Sequence, residues 1–226
     1  MRYEEVIARL ESLADPAAVE GMARYGITAN KVYGVSIPNL RLLAKEIGKD
    51  HELAGRLWQD DARETRILAC MVDPPRMVDE EQAERWVADF DSWEVCDQCC
   101  ANLLEGTPFA YAKAAAWSER PEEFVKRAGF VLMARLAVSD KREPDERFAA
   151  FLPLILREAT DKRNFVKKAV NWALRQIGKR DRNLNRLALA TAREMQSLAS
   201  PAARWIAADA IRELQSEYVQ QRLAGK

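Results

Sequence analysis

Apolar residues recur along the chain at intervals of three and four positions, which is the period of an α-helix with one buried face. No segment alternates apolar and polar residues in the way a half-buried strand does. Short breaks marked by Pro, Gly, Asp or Ser separate the periodic segments. The pattern predicts helices at residues 2–13, 16–25, 37–47, 50–58, 61–72, 79–90, 92–105, 108–117, 121–138, 144–159, 163–178, 182–197 and 201–215.

Several of these segments carry start and stop signals. Ser36, Asp79 and Ser200 each stand directly before a periodic segment, where a side-chain oxygen can accept from free backbone N–H groups. Gly48 follows the third segment as a C-terminal cap. These signals support an all-α fold class. Short helices joined by short loops predict antiparallel pairs stacked into an α-solenoid, or superhelix, of HEAT-like repeats. We expect one such domain over residues 1–226.

Four segments share a local pattern in which Arg or Lys comes just before an apolar run with spaced alanines. They are ETRILACMV, FVKRAGFVLMARLA, FVKKAVNWALRQIG and AARWIAADAIREL. In a solenoid these would be the inner helices of successive pairs. We therefore expect their basic residues to line one concave surface, where helix N-termini also favour phosphates.

Composition narrows the class of protein. The sequence has no charge-free run near the length that spans a bilayer and no basic-then-apolar leader, so we expect a soluble, cytoplasmic protein without a membrane partner. The single histidine, His51, excludes Ser-His-Asp, Cys-His and two-histidine metal sites. The glycines are scattered singly, which excludes a glycine-rich phosphate loop. An enzyme with this composition would work with carboxylates, aromatic rings and fixed positive charge.

The cysteines favour reduced thiols over an extracellular disulfide framework. Three of them, Cys96, Cys99 and Cys100, crowd into one predicted helix, and the fourth is Cys70. Cys96 and Cys99 form a C-x-x-C, but a structural zinc site needs four ligands and His51 lies far off in a predicted loop. We therefore expect buried thiols and no metal.

Charge is segregated along the chain although the formal net charge is zero. Residues 1–120 carry 14 basic and 22 acidic residues, whereas residues 121–226 carry 21 and 13. The stretch 162–193 has ten basic residues and the single acid Asp181. Such segregation predicts a polyanionic partner for the second half.

Asp97 is the polar exception on an apolar helix face. In the stretch DSWEVCDQCC and beyond it, Trp93, Cys96, Asp97, Cys100 and Leu104 fall on one side of a helix. A buried ionised carboxylate is costly unless it is paired. Two interpretations stay open. Asp97 is either a structural ion-pair partner or helix cap, or it is a carboxylate at the floor of a cleft that stabilises developing positive charge or positions a water.

The tryptophans divide into two groups. Trp172 lies among the basic residues of FVKKAVNWALRQIGKR, and either packs between helices or offers an aromatic surface beside a phosphate-binding patch. For Arg127, in EEFVKRAGFV, the same reasoning leaves three interpretations open: a phosphate ligand, a solvated charge or a structural partner of Asp97. We interpret the tryptophans on apolar faces as core residues: Trp58, Trp86, Trp117 and Trp205.

Four motifs, GVSIPNLRLLAKEI, DSWEVCD, FVKRAGFVLMA and FVKKAVNWALRQIGKR, occur in order from about residue 34 to about residue 215. Together they resemble the AlkD family of bacterial DNA alkylation-repair glycosylases, which are built from HEAT-like repeats. The resemblance implies an enzyme that excises cationic N3- and N7-alkylpurines by cleaving the N-glycosidic bond, without a metal or cofactor. It further implies that the lesion stays in the duplex.

Carried over position by position, the family's W-x-x-x-D falls on Trp93 and Asp97. The family's arginine falls on Arg127 and its second tryptophan on Trp172, while Glu94 adds another acid near Asp97. The resemblance implies that the aspartate stabilises the oxocarbenium-like sugar and orients a water, and that the indoles receive the sugar and the cationic nucleotide. The phosphates would be held by Lys126, Lys162, Arg163, Lys167, Lys168, Arg175 and Lys179.

We therefore expect a monomeric, monofunctional DNA-alkylpurine glycosylase that acts on double-stranded DNA with alkylated bases. The alternative belongs to a different class: a non-catalytic HEAT-like module that binds damaged or branched DNA with its basic face. Release of free base distinguishes the two.

Overall fold

The computed structural model describes residues 1–27 and 31–225. Within these ranges the named elements are helices, together with one isolated parallel bridge between Lys31 and Ala62. Two short 3-10 helices span Pro75–Met77 and Leu104–Gly106. No helix in the described ranges is long and apolar enough to cross a membrane. The α-helices are α1 (Tyr3–Ser12), α2 (Pro16–Arg24), α3 (Ile37–Ile47), α4 (His51–Gln59), α5 (Arg63–Val72), α6 (Glu80–Ala88), α7 (Trp93–Asn102), α8 (Ala110–Ser118), α9 (Glu123–Ser139), α10 (Asp145–Ala149), α11 (Leu152–Glu158), α12 (Asn164–Gly178), α13 (Arg182–Ser197), α14 (Pro201–Leu214) and α15 (Glu217–Ala224).

The all-α prediction is confirmed, and most predicted helices begin and end within two residues of the observed ones. At Ser36, Asp79 and Ser200 the side-chain oxygen accepts the backbone N–H three positions ahead, at 3.4, 2.7 and 3.3 Å. Gly48 ends α3 with a φ of 78°, in the left-handed region. Local capping chemistry therefore sets these helix ends.

The prediction of one helix over residues 144–159 is wrong. The segment is interrupted, with α10 ending at Ala149 and α11 beginning at Leu152. Pro153 lacks a backbone N–H, and within a continuous helix its ring would clash with the carbonyl of Ala149. The proline is accommodated instead in the first turn of α11.

The final helix, α15, is one that the sequence pattern does not predict. Ser216 caps it by accepting from the N–H of Val219, and Val219 and Leu223 bury one face at helical spacing. Eight residues hold too few repeats of the helical period to stand out from a loop.

The chain divides into two compact units, Met1–Pro108 and Phe109–Lys226. The expectation of a single domain over residues 1–226 stays a prediction. In the first unit α5 and α7 run parallel. Near their starts Arg63 donates to Glu94, and near their ends the thiols of Cys70 and Cys99 are hydrogen-bonded to each other. Parallel neighbours of this kind form one layer of a stack of helix pairs.

The second unit contains a corresponding layer. α9 and α12 meet at their starts, where Arg127 Nη1 donates to the carbonyl of Phe165 at 2.6 Å. They also meet near their ends, where Arg180 Nη1 donates to the carbonyl of Ala137 at 3.2 Å. α14 packs against α12, while α8 pairs with α9 and α13 with α14. The inner layer of this unit, which we define as α9, α12 and α14, therefore presents its helix starts side by side.

Three of the four tryptophans predicted as core residues are confirmed. Trp58, Trp86 and Trp117 are at most 6% exposed, and the first two rings stack with centroids 4.1 Å apart. The prediction for Trp205 is wrong, since 42% of this residue is exposed. It is not among the residues that α14 buries, which are Ala202, Ala203, Ile206, Ala207, Ala210 and Leu214.

The close packing of α8 against α9 depends on Gly129. A Cβ atom at this position would lie 2.5 Å from the backbone nitrogen of Ser118 and 2.9 Å from the carbonyl oxygen of Ala114. Both are backbone atoms, so neither can move without shifting a helix. Gly55 in α4 is a contrasting case, because a Cβ there meets nothing within 4 Å.

We expect Gly129→Ala to lower the free energy of unfolding by about 1–3 kcal/mol, because it forces α8 and α9 apart. Gly55→Ala should raise the free energy of unfolding by about 0.5–1 kcal/mol through its better helix propensity. Urea denaturation of both variants measures the difference. Changes of the same sign at the two positions would contradict the packing described here.

Candidate nucleic-acid interface

The residues assigned to the predicted site lie in both units. Trp93 and Asp97 belong to α7 in the first unit, and Arg127 and Trp172 belong to α9 and α12 in the second. The first pair shares one helix, one turn apart. The second pair lies on neighbouring parallel helices.

The start of α7 holds Trp93 in a defined position. Ser92 caps the helix, and the indole Nε1–H of Trp93 donates to the carbonyl of Tyr25 at 2.9 Å. Tyr25 itself is 74% exposed. Sequence reasoning did not single out Tyr25, and no motif or period marks it. A half-buried indole is thus fixed at the start of α7 by a backbone carbonyl from the segment after α2.

The apolar stripe around Asp97 is buried along only part of its length. Cys96, Cys100 and Leu104 are at most 1% exposed, whereas Trp93 and Asp97 are half-buried. The carboxylate therefore lies where the buried face of α7 opens to solvent, and its charge avoids much of the cost of a sealed site. At the edge of a low-dielectric surface, a carboxylate stabilises a nearby cation more strongly than it does in bulk water.

Glu94, the second acid in this segment, belongs to a buried charge network. Arg63 is 2% exposed and donates to Glu94 at 2.6 Å and to Glu64 at 2.7 Å. Burial works to lower the pKa of Arg63, but the hydrogen bond to Glu94 and the charges of both carboxylates outweigh it and raise the pKa. Glu94 is therefore committed to holding α7 against α5.

The same network anchors the loop before α3. Glu64 accepts the backbone N–H groups of residues 33–35 at 2.9–3.1 Å. Gly34 in this loop has a φ of 82°, and a Cβ there would lie 2.1 Å from the carbonyl oxygen of Asp15. Only glycine fits such a turn. The GVSIPN motif and the DSWEVCD motif are thus joined through Arg63.

The four cysteines form a thiol cluster between α5 and α7. Cys70, Cys96, Cys99 and Cys100 are fully buried free thiols. Burial raises the pKa of Cys70, and it raises the pKa values of Cys99 and Cys100 well above the ordinary range. A raised pKa keeps a thiol protonated and weakly nucleophilic. The cluster therefore serves packing.

In the second unit the basic pair of the FVKR segment is buried. Arg127 is 6% exposed and donates to the Phe165 carbonyl at the start of α12. Lys126 forms an ion pair with Glu158 and lies 4.0 Å from a carboxylate oxygen of Asp161. Both side chains tie α9 to the segment in which α11 ends and α12 begins.

Trp172 is half-buried on α12. The side-chain amide of Gln176 is oriented so that its oxygen accepts from Trp172 Nε1 at 3.0 Å and from Lys179 Nζ at 3.3 Å. Lys168 lies one turn before Trp172 on the same face and is exposed. The indole is therefore held in orientation beside an available positive charge.

A ladder of polar side chains joins α12 to α14. Asn171 donates to Asp209 at 2.7 Å, Arg175 pairs with Glu213, and Lys179 donates to Glu213 at 2.6 Å. Partial burial works to raise the pKa of Glu213, but hydrogen bonds from Lys179 and Arg175 outweigh it and lower the pKa. Arg175 and Lys179, two of the predicted phosphate ligands, are therefore already paired with a carboxylate within the fold.

The remaining predicted phosphate ligands differ in availability. Arg163 pairs with Asp161 at 2.6 Å. Lys162, Lys167 and Lys168 have no carboxylate partner within residues 1–27 and 31–225, and the first and last of them are exposed. Among the predicted phosphate ligands, those that remain available thus lie at the start of α12.

A sequence model of the family described as DNA alkylation repair enzyme matches residues 6–214. The chain belongs to this family. The AlkD-type resemblance predicted from the four motifs is thereby confirmed. The assignment of the family's aspartate, tryptophans and arginine to Asp97, Trp93, Trp172 and Arg127 stays a prediction.

Two known proteins are similar to this chain. One is a solved structure from a family that is described as new, related to the HEAT-like repeat DNA glycosylases and with affinity for branched DNA structures. It is 19% identical, covers 99% of this chain and 96% of its own, and has a TM-score of 0.80. The likeness confirms the predicted fold, an α-solenoid of HEAT-like repeats. The uncharacterized protein Lin0241 of Listeria innocua is 24% identical over 132 residues, which are 57% of this chain and 59% of that protein.

For this DNA alkylation repair family member, we expect Arg63→Met to lower the free energy of unfolding by about 3–5 kcal/mol, because it leaves two buried carboxylates without their cation. Arg85→Met is the matched control, since Arg85 forms an exposed pair with Glu81 that is worth about 0.5 kcal/mol or less. Urea denaturation compares the two. Equal losses would show that the Arg63 network is no stronger than a surface ion pair.

Proposed function

We propose that this chain is a monofunctional DNA glycosylase that removes positively charged N3- and N7-alkylated purines from double-stranded DNA. Asp97 carries the proposal. It is a half-buried carboxylate one turn after an indole, at the open end of an apolar helix face. Membership of the DNA alkylation repair enzyme family supports a lesion of this chemical class.

The proposed reaction is hydrolysis of the N-glycosidic bond. An N-alkylated purine is cationic, so it leaves as a neutral base when it takes both electrons of the bond to C1′. Departure therefore needs no proton donor, which suits a chain with a single histidine. Asp97 stabilises the oxocarbenium-like sugar that remains. A water oxygen then bonds to C1′, and Asp97 orients this water and accepts its proton, which leaves an abasic site.

Aromatic groups at the start of α7 suit a cationic substrate. The Trp93 indole is held there by the hydrogen bond from its Nε1 to the backbone carbonyl of Tyr25, a residue that is itself 74% exposed. Faces of such rings attract cations. The proposal also assigns Trp172 of the second unit to the lesion as a further aromatic surface. Arg127, predicted as a phosphate contact, is 6% exposed and donates to the Phe165 carbonyl, so it is assigned to supporting the start of α12.

The phosphate contacts come from the cations that the fold leaves available. We assign Lys162, Lys167 and Lys168 to this role, whereas Arg163 is paired with Asp161 and donates to the Pro121 carbonyl, so it is assigned to the start of α12. The remaining predicted ligands, Lys126, Arg175 and Lys179, are assigned to joining helices because carboxylates already pair with them. Each phosphate contact releases counterions, so DNA affinity should fall steeply with salt.

We expect Asp97→Asn to lower the rate of base release by at least about 100-fold while DNA affinity stays close to that of wild type. The measurement is release of free base from duplex DNA that carries N7-methylguanine or N3-methyladenine, at low salt. Asp79→Asn is the matched control, because it makes the same change of charge at the N-cap of α6, where asparagine caps equally well. Normal release by Asp97→Asn would remove this carboxylate from the mechanism.

A second candidate function is DNA binding without base excision. A solved relative with 19% identity is described as having affinity for branched DNA, which favours this reading over other non-enzymatic roles. Under it, wild type would bind DNA in a salt-dependent manner and release no base from either methylated substrate. The base-release measurement therefore decides between the two candidates.

We expect Lys168→Gln to weaken duplex binding and to reduce the slope of log K against log salt concentration by about 1. Arg175→Gln should leave that slope unchanged and instead lower the free energy of unfolding by about 1 kcal/mol, because Arg175 is paired with Glu213. Anisotropy titrations at several salt concentrations measure the slopes. A larger loss of slope in Arg175→Gln would reverse the assignment of the two cations.

A further inference from the structure

Trp205 stands near the start of α14 and, unlike the buried tryptophans, has a large exposed surface. It lines a depression of about 390 Å³ together with Lys162, Lys167, Pro201 and Ala202. The depression thus lies between the beginnings of α12 and α14. Its volume is within the range of sites that hold small organic groups.

The ring of Trp205 is already held by one cation. The ammonium nitrogen of Lys167 lies 4.7 Å from the ring centroid, a distance at which the ring face attracts it. This contact restrains the indole while much of its surface remains open to solvent. A flat group can stack on that open surface. Because the indole is restrained beforehand, little side-chain freedom is lost when such a group binds.

The charge in the depression is positive and unbalanced. Lys162 and Lys167 have no carboxylate partner in the part of the chain that the structure describes, whereas Arg175 and Lys179 further along α12 are paired with Glu213. Two ammonium groups beside an aromatic ring suit a ligand with a negative group next to a flat one. A nucleotide, with a phosphate and a base, has this chemistry.

The depression adjoins the face of α12 assigned above to DNA. Lys168 follows Lys167 directly, and Trp172 lies one helical turn after Lys168. DNA bound along Lys168 and Trp172 therefore passes beside the ring of Trp205. In this respect the inference rests on the proposed function, because it uses the same path for the DNA.

We propose that Trp205, Lys162 and Lys167 form a second site, which binds an unpaired nucleotide of the DNA. The base stacks on Trp205, and its phosphate contacts the two lysines. Bases within a duplex are stacked on both faces, so only a base outside the stack can use the indole. The site therefore distinguishes DNA with an unpaired nucleotide from fully paired DNA of the same sequence.

The test compares two duplexes of the same sequence, one fully paired and one with a single unpaired 2-aminopurine nucleotide at its centre. Wild type is compared with Trp205→Ala, with Trp205→Phe as the conservative variant and with Tyr218→Ala as the control. Tyr218 is a 74% exposed aromatic on the neighbouring α15. Thermal unfolding verifies that each variant is folded.

We expect Trp205→Ala to weaken binding of the duplex with the unpaired nucleotide by about 5- to 150-fold, which corresponds to the loss of one base–aromatic stack. Binding of the paired duplex should be unchanged, and Trp205→Phe should retain most of the difference. Wild type should quench 2-aminopurine fluorescence through stacking, whereas Trp205→Ala should not. Tyr218→Ala should behave like wild type with both duplexes.

Equal binding by wild type and Trp205→Ala, or an equal loss on both duplexes, would overturn the second site. Base release by wild type from methylated duplex DNA is measured in parallel. Release without any effect of Trp205 would remove the second site and leave the glycosylase proposal standing. Trp205-dependent binding without base release would retain the second site and remove the glycosylase.

Discussion

Within each unit, a cation from the first turns of one inner helix reaches the start of the next inner helix. Parallel packing brings the N-terminal ends of these helices side by side, and each end carries the positive pole of its helix dipole. A Lys or Arg side chain at such a place is therefore favourable only when an acceptor group lies nearby. The acceptor differs at each step. Arg63 binds Glu94, Arg127 binds the carbonyl of Phe165, and Lys167 lies over the ring of Trp205.

These different acceptors give the repeated contact different consequences. Between α5 and α7 the guanidinium lies between two buried carboxylates, so the contact is sealed and fixes the helix that carries Trp93 and Asp97. Between α12 and α14 the acceptor is an aromatic ring, which leaves the charge of Lys167 uncompensated. The buried contact holds its helix rigidly, whereas the open contact leaves a charge and part of a ring exposed to solvent.

Asp97 illustrates how a small difference in burial changes the chemistry of a residue. Three positions before it, Glu94 is buried against Arg63, and three positions after it, Cys100 is fully buried with a raised pKa. Asp97 itself is half-buried, because the covered face of α7 ends there. A fully exposed carboxylate would be screened by water, and a fully buried one would carry a large desolvation cost.

Helical period and capping residues by themselves determined the fold class, most helix bounds and the caps at Ser36, Asp79 and Ser200, because each depends on residues only a few positions apart. The roles assigned to Asp97, Trp93, Trp172 and Arg127 from short motifs stay predictions. Which cations stay available was decided only by the tertiary structure. Lys126 and Glu158 are 32 positions apart, and Arg175 and Glu213 are 38. These ion pairs and the exposure of Trp205 depend on which helices pack against each other. The helical period of a single segment carries no information about the helix that packs against it.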